Sequence, residues 1–410
     1  MPPTAIHPVA SVLIMLGMLS VLIIAHELGH LWVARRCGVR VERFGFGLPM
    51  GPTLWSKKIG DIEYCLHLAL FGGYVAFPDD NPDSPIPPDS PQRFENRPLP
   101  QRFAIAIAGI AVNAILAWLI MIFVAMMWGL PAPHAPVAIK EVVSAHMPAA
   151  QAGLRPGDVI TAVDGKPLST RRYDGSYFVT ETIRAHAQKP LTFSILRGGK
   201  NPPVTLTITP NEKGLIGIRM EGGGSQRYLN PLAAAGESLA FLGDITVRNF
   251  AGLGKIFSGK GNWDDVAGPV GIVKAGGEAI QYTGLQTGFL LMAIISAMLA
   301  VMNLLPIPAL DGGHILFQAI EAVKGSPVSK KIQTGFTQAG FFLLAGLMVL
   351  LLGHDLYKIA QGKSDFRREP PPATQTAPVG AAASKSPAAV PSGSAPAPAP
   401  SKPSSGASKQ

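Results

Sequence analysis

His26, Glu27 and His30 stand in the run His-Glu-Leu-Gly-His, so the two imidazoles fall one helical turn apart on one face. Such a pair can share one zinc ion, and the glutamate between them can reach a water that the metal activates. The chemistry implied is metal-assisted amide hydrolysis with no covalent intermediate. The setting is unusual for that chemistry. Val9 to Ala25 are apolar, and Leu31, Trp32 and Val33 resume the apolar run after the motif. An ionisable residue inside a membrane segment costs about 2.5 to 3.5 kcal/mol on insertion scales, so three within five residues need a partner, a cavity or a metal.

A catalytic zinc site takes three protein ligands and leaves a fourth position open. The best third candidate is Asp311, at the end of an apolar stretch in Asn-Leu-Leu-Pro-Ile-Pro-Ala-Leu-Asp-Gly-Gly-His, residues 303–314. Pro306 and Pro308 break a helix and Gly312 and Gly313 let the backbone bend, so a carboxylate can be presented from a disrupted segment that lines a cavity. His314 is the second candidate. His67, in a strand-like loop, and His354, at the opposite membrane face by topology, are weaker ones.

The elements that must position these residues are membrane spans. Charged residues make up 15% of the chain against about 25% in an average soluble protein, and 47% of it is hydrophobic. Phe103 to Leu130, Gly284 to Leu310 and Gly335 to Gly353 carry no charge and are long enough to cross a bilayer. With the first helix they predict four spans. No basic residue precedes the first apolar run, so it is read as retained and not as a signal peptide. Arg35, Arg36, Arg40 and Arg43 follow it, Arg93, Arg97 and Arg102 precede the second, and Lys324, Lys330 and Lys331 lie between the third and fourth. Basic residues mark the cytoplasmic side, which puts the amino terminus, the segment after the second span and the carboxyl terminus outside. The net charge of +9 is spread along the chain, which gives no support for nucleic-acid binding. Cys37 and Cys65 are too few for a disulfide framework.

Between the second and third spans, short β-branched runs punctuated by Gly and Pro read as strands of a small domain. Its segment PAAQAGLRPGDVITAVDG, residues 148–165, resembles the ligand-loop region of a PDZ domain of the kind found in bacterial proteases. Such domains capture extended peptides at a sheet edge. Leu229 to Lys260 mix apolar and charged positions, as amphipathic helices at a membrane surface do. From Glu369 onward Pro, Ala, Ser and Lys dominate, a composition that cannot bury a core.

Taken together, HELGH in the first span, NLLPIPALDGGH later and a PDZ-like insert between them resemble the site-2 protease family, the M50 type of intramembrane zinc metalloprotease, and within it the regulator of sigma-E protease group. The resemblance covers Val9 to Leu356. It implies Zn2+ held by His26, His30 and Asp311, with Glu27 as general base. It also implies that Asn303 helps hold unwound substrate near the metal. Gly45 to Phe77, with Gly72 and Gly73, is similar to the family's membrane re-entrant β-hairpin, whose edge would pair with substrate. Two departures stand out: Ile110 follows Gly109 where the family often has proline, and the PDZ-like segment occurs once instead of as a tandem pair.

The expected fold is therefore a multi-pass α-helical membrane protein with four transmembrane helices, a membrane-associated β-hairpin and an inserted small β-rich PDZ-like domain. Its expected parts are the first span with the zinc motif (1–36), a cytoplasmic loop with the hairpin (37–101), the second span (102–130), the PDZ-like domain (137–220), amphipathic helices (229–263), the third span (284–310), the fourth (335–356) and a disordered tail (369–410). The expected activity is cleavage of transmembrane segments of single-pass proteins, such as an anti-sigma factor or a remnant signal peptide, in the bacterial inner membrane. The expected partners are that substrate, the lipid bilayer and a peptide on the PDZ-like domain. The competing readings are a catalytically inactive membrane PDZ scaffold and a zinc transporter, which would space several ligands along a pathway.

Overall fold

The first helix, α1 (Pro8–Arg36), opens on a proline whose missing N–H costs nothing in a first turn, and Gly38 at φ +72° turns the chain away from its end. The computed structural model describes residues 6–47, 52–68, 72–221, 224–259 and 266–361. After α1 come β1 (Arg43–Phe46), β2 (Thr53–Ile59), β3 (Ile62–His67) and β4 (Gly73–Ala76). They form one sheet in the order β2-β3-β1-β4, with β1 parallel to β3 and antiparallel to β4. Where one hairpin is expected from Gly45 to Phe77, the hairpin β2–β3 is half of a four-stranded sheet. A lone hairpin is marginal in water, and β2 is exposed along its whole length. The added β1 brings Phe44 beside Ile62 of β3, and the two pack with Leu31 and Ala34 of α1. Residues 48–51 and 69–71 of this segment lie outside the described residues, as do the tail and residues 260–263 of the amphipathic segment. Then α2 (Leu99–Met127) runs back along α1. The two helices approach so closely that a Cβ on Gly29 would come within 2.8 Å of the Ala108 carbonyl oxygen.

The chain leaves α2 through β5 (Leu130–Pro131) and enters a small sheet domain. Its elements are β6 (Val137–Val142), α3 (Pro148–Gln151), β7 (Val159–Val163), β8 (Lys166–Pro167), α4 (Gly175–Ala185), β9 (Leu191–Arg197), β10 (Lys200–Ile208) and β11 (Ile218–Glu221). The sheet order is β10-β9-β7-β6-β11, with β8 on β7. Alternate residues of its strands, Ile139, Ile160, Phe193 and Ile195, bury against Val179 and Ile183 of α4. Asp158 is buried at 1% exposure. It accepts two hydrogen bonds from the Arg197 guanidinium, at 2.9 and 2.8 Å, and one from the Arg155 N–H at 2.8 Å. The chain returns through β12 (Ser225–Gln226), which pairs with β5, so entry and exit of the domain lie side by side.

Next, α5 (Pro231–Phe257) is capped by the Asn230 side chain and packs on α2, where the Trp118 indole donates to the Ala235 carbonyl at 2.9 Å. Glu237 of α5 accepts from Arg172 at 2.7 Å and from Tyr173, and Glu181 of α4 accepts from Lys255; these contacts join α5 to the small domain. The rest of the described chain is α6 (Pro269–Thr283), α7 (Leu285–Leu304), α8 (Asp311–Lys324) and α9 (Lys330–Ala360). Among the described residues α1, α2, α7 and α9 are long and apolar enough to cross a membrane. Gly276 and Gly277 of α6 bring it onto Met15 and Val12 of α1. The Asp355 carboxylate of α9 accepts from the N–H groups of Gly268 and Gly271 at 3.0 and 2.8 Å, which places a negative charge on the N-terminus of α6.

Candidate metal centre

The apolar stretch through Leu310 does not stay helical to its end. Pro306 has no N–H for the helix ladder, α7 stops at Leu304, and Ala309 takes φ +67° before α8 begins at Asp311. Asp311 is thus the first residue of a new helix. Close packing of this turn depends on Gly312, where a Cβ would lie 2.0 Å from the Leu305 carbonyl oxygen, and on Gly313, where it would lie 2.7 Å from that of Ile307. The turn carries the carboxylate to α1. Its Oδ2 lies 3.2 Å from His26 Nε2 and 3.4 Å from His30 Nε2, and the two Nε2 atoms are 3.2 Å apart.

The outer edges of the two rings decide what those three atoms can be. His30 Nδ1 lies 2.7 Å from the Ile105 carbonyl oxygen, which only accepts, so Nδ1 carries the proton and Nε2 is a bare lone pair. His26 Nδ1 lies 3.2 Å from the Asn113 amide. Asn113 is 1% exposed and its Oδ1 has no other partner. The amide orientation that satisfies that oxygen has it accept from His26 Nδ1–H, which bares His26 Nε2 as well. Two imidazole lone pairs and a carboxylate oxygen, itself buried without a hydrogen-bond donor, then converge on one point. Three acceptors cannot satisfy one another, but a cation can. Tetrahedral zinc with bonds of about 2.0 to 2.2 Å sets its ligands about 3.3 Å apart, which these separations fit.

Helix α2 meets the rings with Gly109, where a Cβ would lie 2.4 Å from His30 Nε2 and 2.7 Å from His26 Cε1. No side chain fits there beside the histidines. Glu27 faces the sheet instead: a Cβ on Gly73, the first residue of β4, would lie 2.7 Å from its Cγ. The backbone of β4 therefore runs directly beside the glutamate, and among the described residues its outer edge pairs with no strand. Gly72 precedes it at φ +101° with its carbonyl oxygen accepting from the Gly47 N–H at 2.8 Å. Asn303 lies on the last turn of α7, its carbonyl oxygen packed against Gly312 beside Asp311.

Of the other histidines, His314 lies on the first turn of α8 and lines the cavity that opens from the three ligand atoms. His67 is buried in β3 between Thr53 and Tyr74, and His354 sits in α9. Asn113 is the residue whose part the sequence motifs did not assign. Its signal was a lone amide in a stretch without charges, which needs a partner in the membrane.

The model of the family described as peptidase family M50 matches residues 14–347. A Nostoc sp. protein named as a zinc metalloprotease is 35% identical over 352 residues, covering 83% of this chain and 94% of its own. The metalloprotease MmpA of Caulobacter vibrioides is 32% identical over 387 residues, covering 83% and 94%. The regulator of sigma-E protease of Salmonella typhimurium is 29% identical over 448 residues, covering 83% and 97%. A match that runs through both halves of the histidine–aspartate cluster leaves one assignment: the chain belongs to peptidase family M50, as a metalloprotease of the site-2 type.

Proposed function

We propose that the protein is an intramembrane zinc metalloprotease that cuts the membrane span of single-pass proteins. The observation that carries this reading is the convergence of His26 Nε2, His30 Nε2 and Asp311 Oδ2 within one turn of Glu27, on a helix long and apolar enough to cross a bilayer. His26, His30 and Asp311 would hold the ion, which supplies Lewis acidity to the scissile carbonyl and to a water. Glu27 accepts the proton of the attacking water and returns it to the departing amide nitrogen. The Ile105 carbonyl keeps the His30 ring, and the Asn113 amide with its oxygen turned to His26 Nδ1 would keep the other, in the tautomer that leaves Nε2 free.

A helical span hides its peptide bonds in its own hydrogen bonds, so a substrate must unwind before it is cut. The free edge of β4 near Glu27 offers an unwound chain the backbone partners it has lost, with Gly73 making room for Glu27 against the strand and Gly72 as the turn that leads into it. Asn303 would help hold the chain on the far side of Asp311. The small domain between β5 and β12 is read as PDZ-like, outside a bacterial inner membrane, with the metal centre near the cytoplasmic face where the arginines gather. There it would screen substrates or bind a peptide end.

The test is cleavage of a single-pass reporter by purified wild type and by Glu27→Gln, with bound zinc measured in both. The expected result is cleavage by wild type, about one zinc per chain in each, and none cut by the variant. Equal cleavage by the two proteins sinks the reading.

A further inference from the structure

From the three ligand atoms a cavity of about 1070 Å³ extends between the segment after β4, α8 and the start of α9. That is enough room for several residues of extended peptide. Its charges do not cancel. Glu321 is paired with Arg102, one N–O separation being 3.0 Å, and Glu95 is paired with Lys330. Asp79 and Asp80 have no such cation among the described residues. Each is held only by a backbone N–H, Asp79 by that of Phe94 at 2.8 Å and Asp80 by that of Phe77 at 2.9 Å. Burial and the nearby Asp79 and Glu95 carboxylates push the Asp80 carboxyl up, against the pull of its backbone bond and His314. The same wall carries an independent mark. Gln318 is 6% exposed, and its side-chain oxygen is buried without a donor. Two carboxylates without cations and an amide oxygen without a donor can all accept N–H groups, and the carboxylates are best satisfied by charged ones.

We propose that this cavity binds a basic juxtamembrane segment of the substrate, with Asp79 and Asp80 reading its lysines or arginines and Gln318 accepting an N–H. This rests on the protease reading above and names its substrate class. Lysine and arginine are what single-pass proteins carry beside the cytoplasmic end of their span. A span unwound at the metal centre delivers that flank to these residues. Selection then acts on the few residues just beyond the membrane as well as on the span.

Two measurements on the full-length protein test it. The first compares cleavage of two reporters that differ only in the flank, four lysines against four glutamines. Wild type is expected to favour the basic reporter about tenfold in kcat/KM, the worth of one charge-assisted hydrogen bond. Asp79→Asn with Asp80→Asn keeps a side-chain oxygen to accept each backbone N–H, and is expected to raise KM for the basic reporter until the ratio collapses. An equal rate on both reporters in wild type, or an undiminished ratio in the double variant, overturns the proposal. The second measures binding of a labelled tetralysine peptide to Glu27→Gln by fluorescence anisotropy, with and without the two asparagines. Weaker binding in the asparagine form is expected. Equal binding, or none in either, overturns the site. Binding lost with the asparagines while wild type cuts nothing keeps the site and removes the protease reading.

Discussion

Two histidines on one helix can be aimed at a metal only if something outside that helix fixes both rings, and α2 does so with one backbone carbonyl and one amide. Ile105 accepts at 2.7 Å and cannot be mutated away, whereas Asn113 can. Replacing Asn113 by Leu leaves the shape and removes the acceptor, so zinc affinity measured by chelator competition is expected to fall about 10- to 100-fold while the protein stays folded. The neighbouring Gly109 tests the space instead of the bond. Gly109→Ala would place a methyl 2.4 Å from His30 Nε2, and is expected to abolish zinc binding, while Gly346→Ala, in open space, leaves it unchanged. The two histidines and the glutamate stand within five residues of one another, and Asp311 stands out by the prolines and glycines around it, so the sequence singles out each from its immediate neighbours. Asn113 is not legible in that way, since its role is set by a partner 87 residues away.

Among the elements, the long apolar helices were plain to read and the shorter ones were not. The sequence from Pro269 carries glycines, a lysine and a glutamate, and becomes α6 because Gly276 and Gly277 fit against α1 and Asp355 caps its start. Asp311 reads as the end of a span. It begins α8 because two prolines end the preceding helix and Ala309 reverses the chain in between. In the sheet domain α4 was hidden by Gly175 and β-branched residues, which tertiary burial of Val179 and Ile183 overrides. That domain also carries a pH signature. Burial raises the Asp158 carboxyl, but the bonds from Arg197 and the Arg155 N–H outweigh it and hold the group below the usual carboxylate range. A carboxyl depressed in the folded state stabilises above its unfolded value of about 3.9, and that contribution drains away as pH falls through the folded value. The domain's melting temperature is expected to drop steeply below about pH 4 in wild type and more gently in Asp158→Asn.

At the scale of the molecule, the sheet domain is an insertion with adjoining ends. Deleting only Val137 to Pro210 would leave β11 without its partner β6. The pair Pro131–Ser225 gives a cleaner boundary. A chain in which residues 132–224 are replaced by Asn-Gly, a turn suited to an antiparallel pair, is expected to bind zinc and cut a short reporter at the wild-type rate. Its discrimination against reporters with bulky outer domains is expected to fall. A chain that loses its zinc on this excision would show that the two parts fold as one.

The β5–β12 pairing has a historical consequence too. A gene can acquire, duplicate or discard the sheet domain by a single event at that two-rung ladder, and what the helices surrender includes the contacts at Glu237 and Glu181 and the packing of Tyr173 on Phe241 and of Tyr177 beside Arg248. Lineages can therefore exchange this domain while the helices that carry His26, His30 and Asp311 descend unaltered.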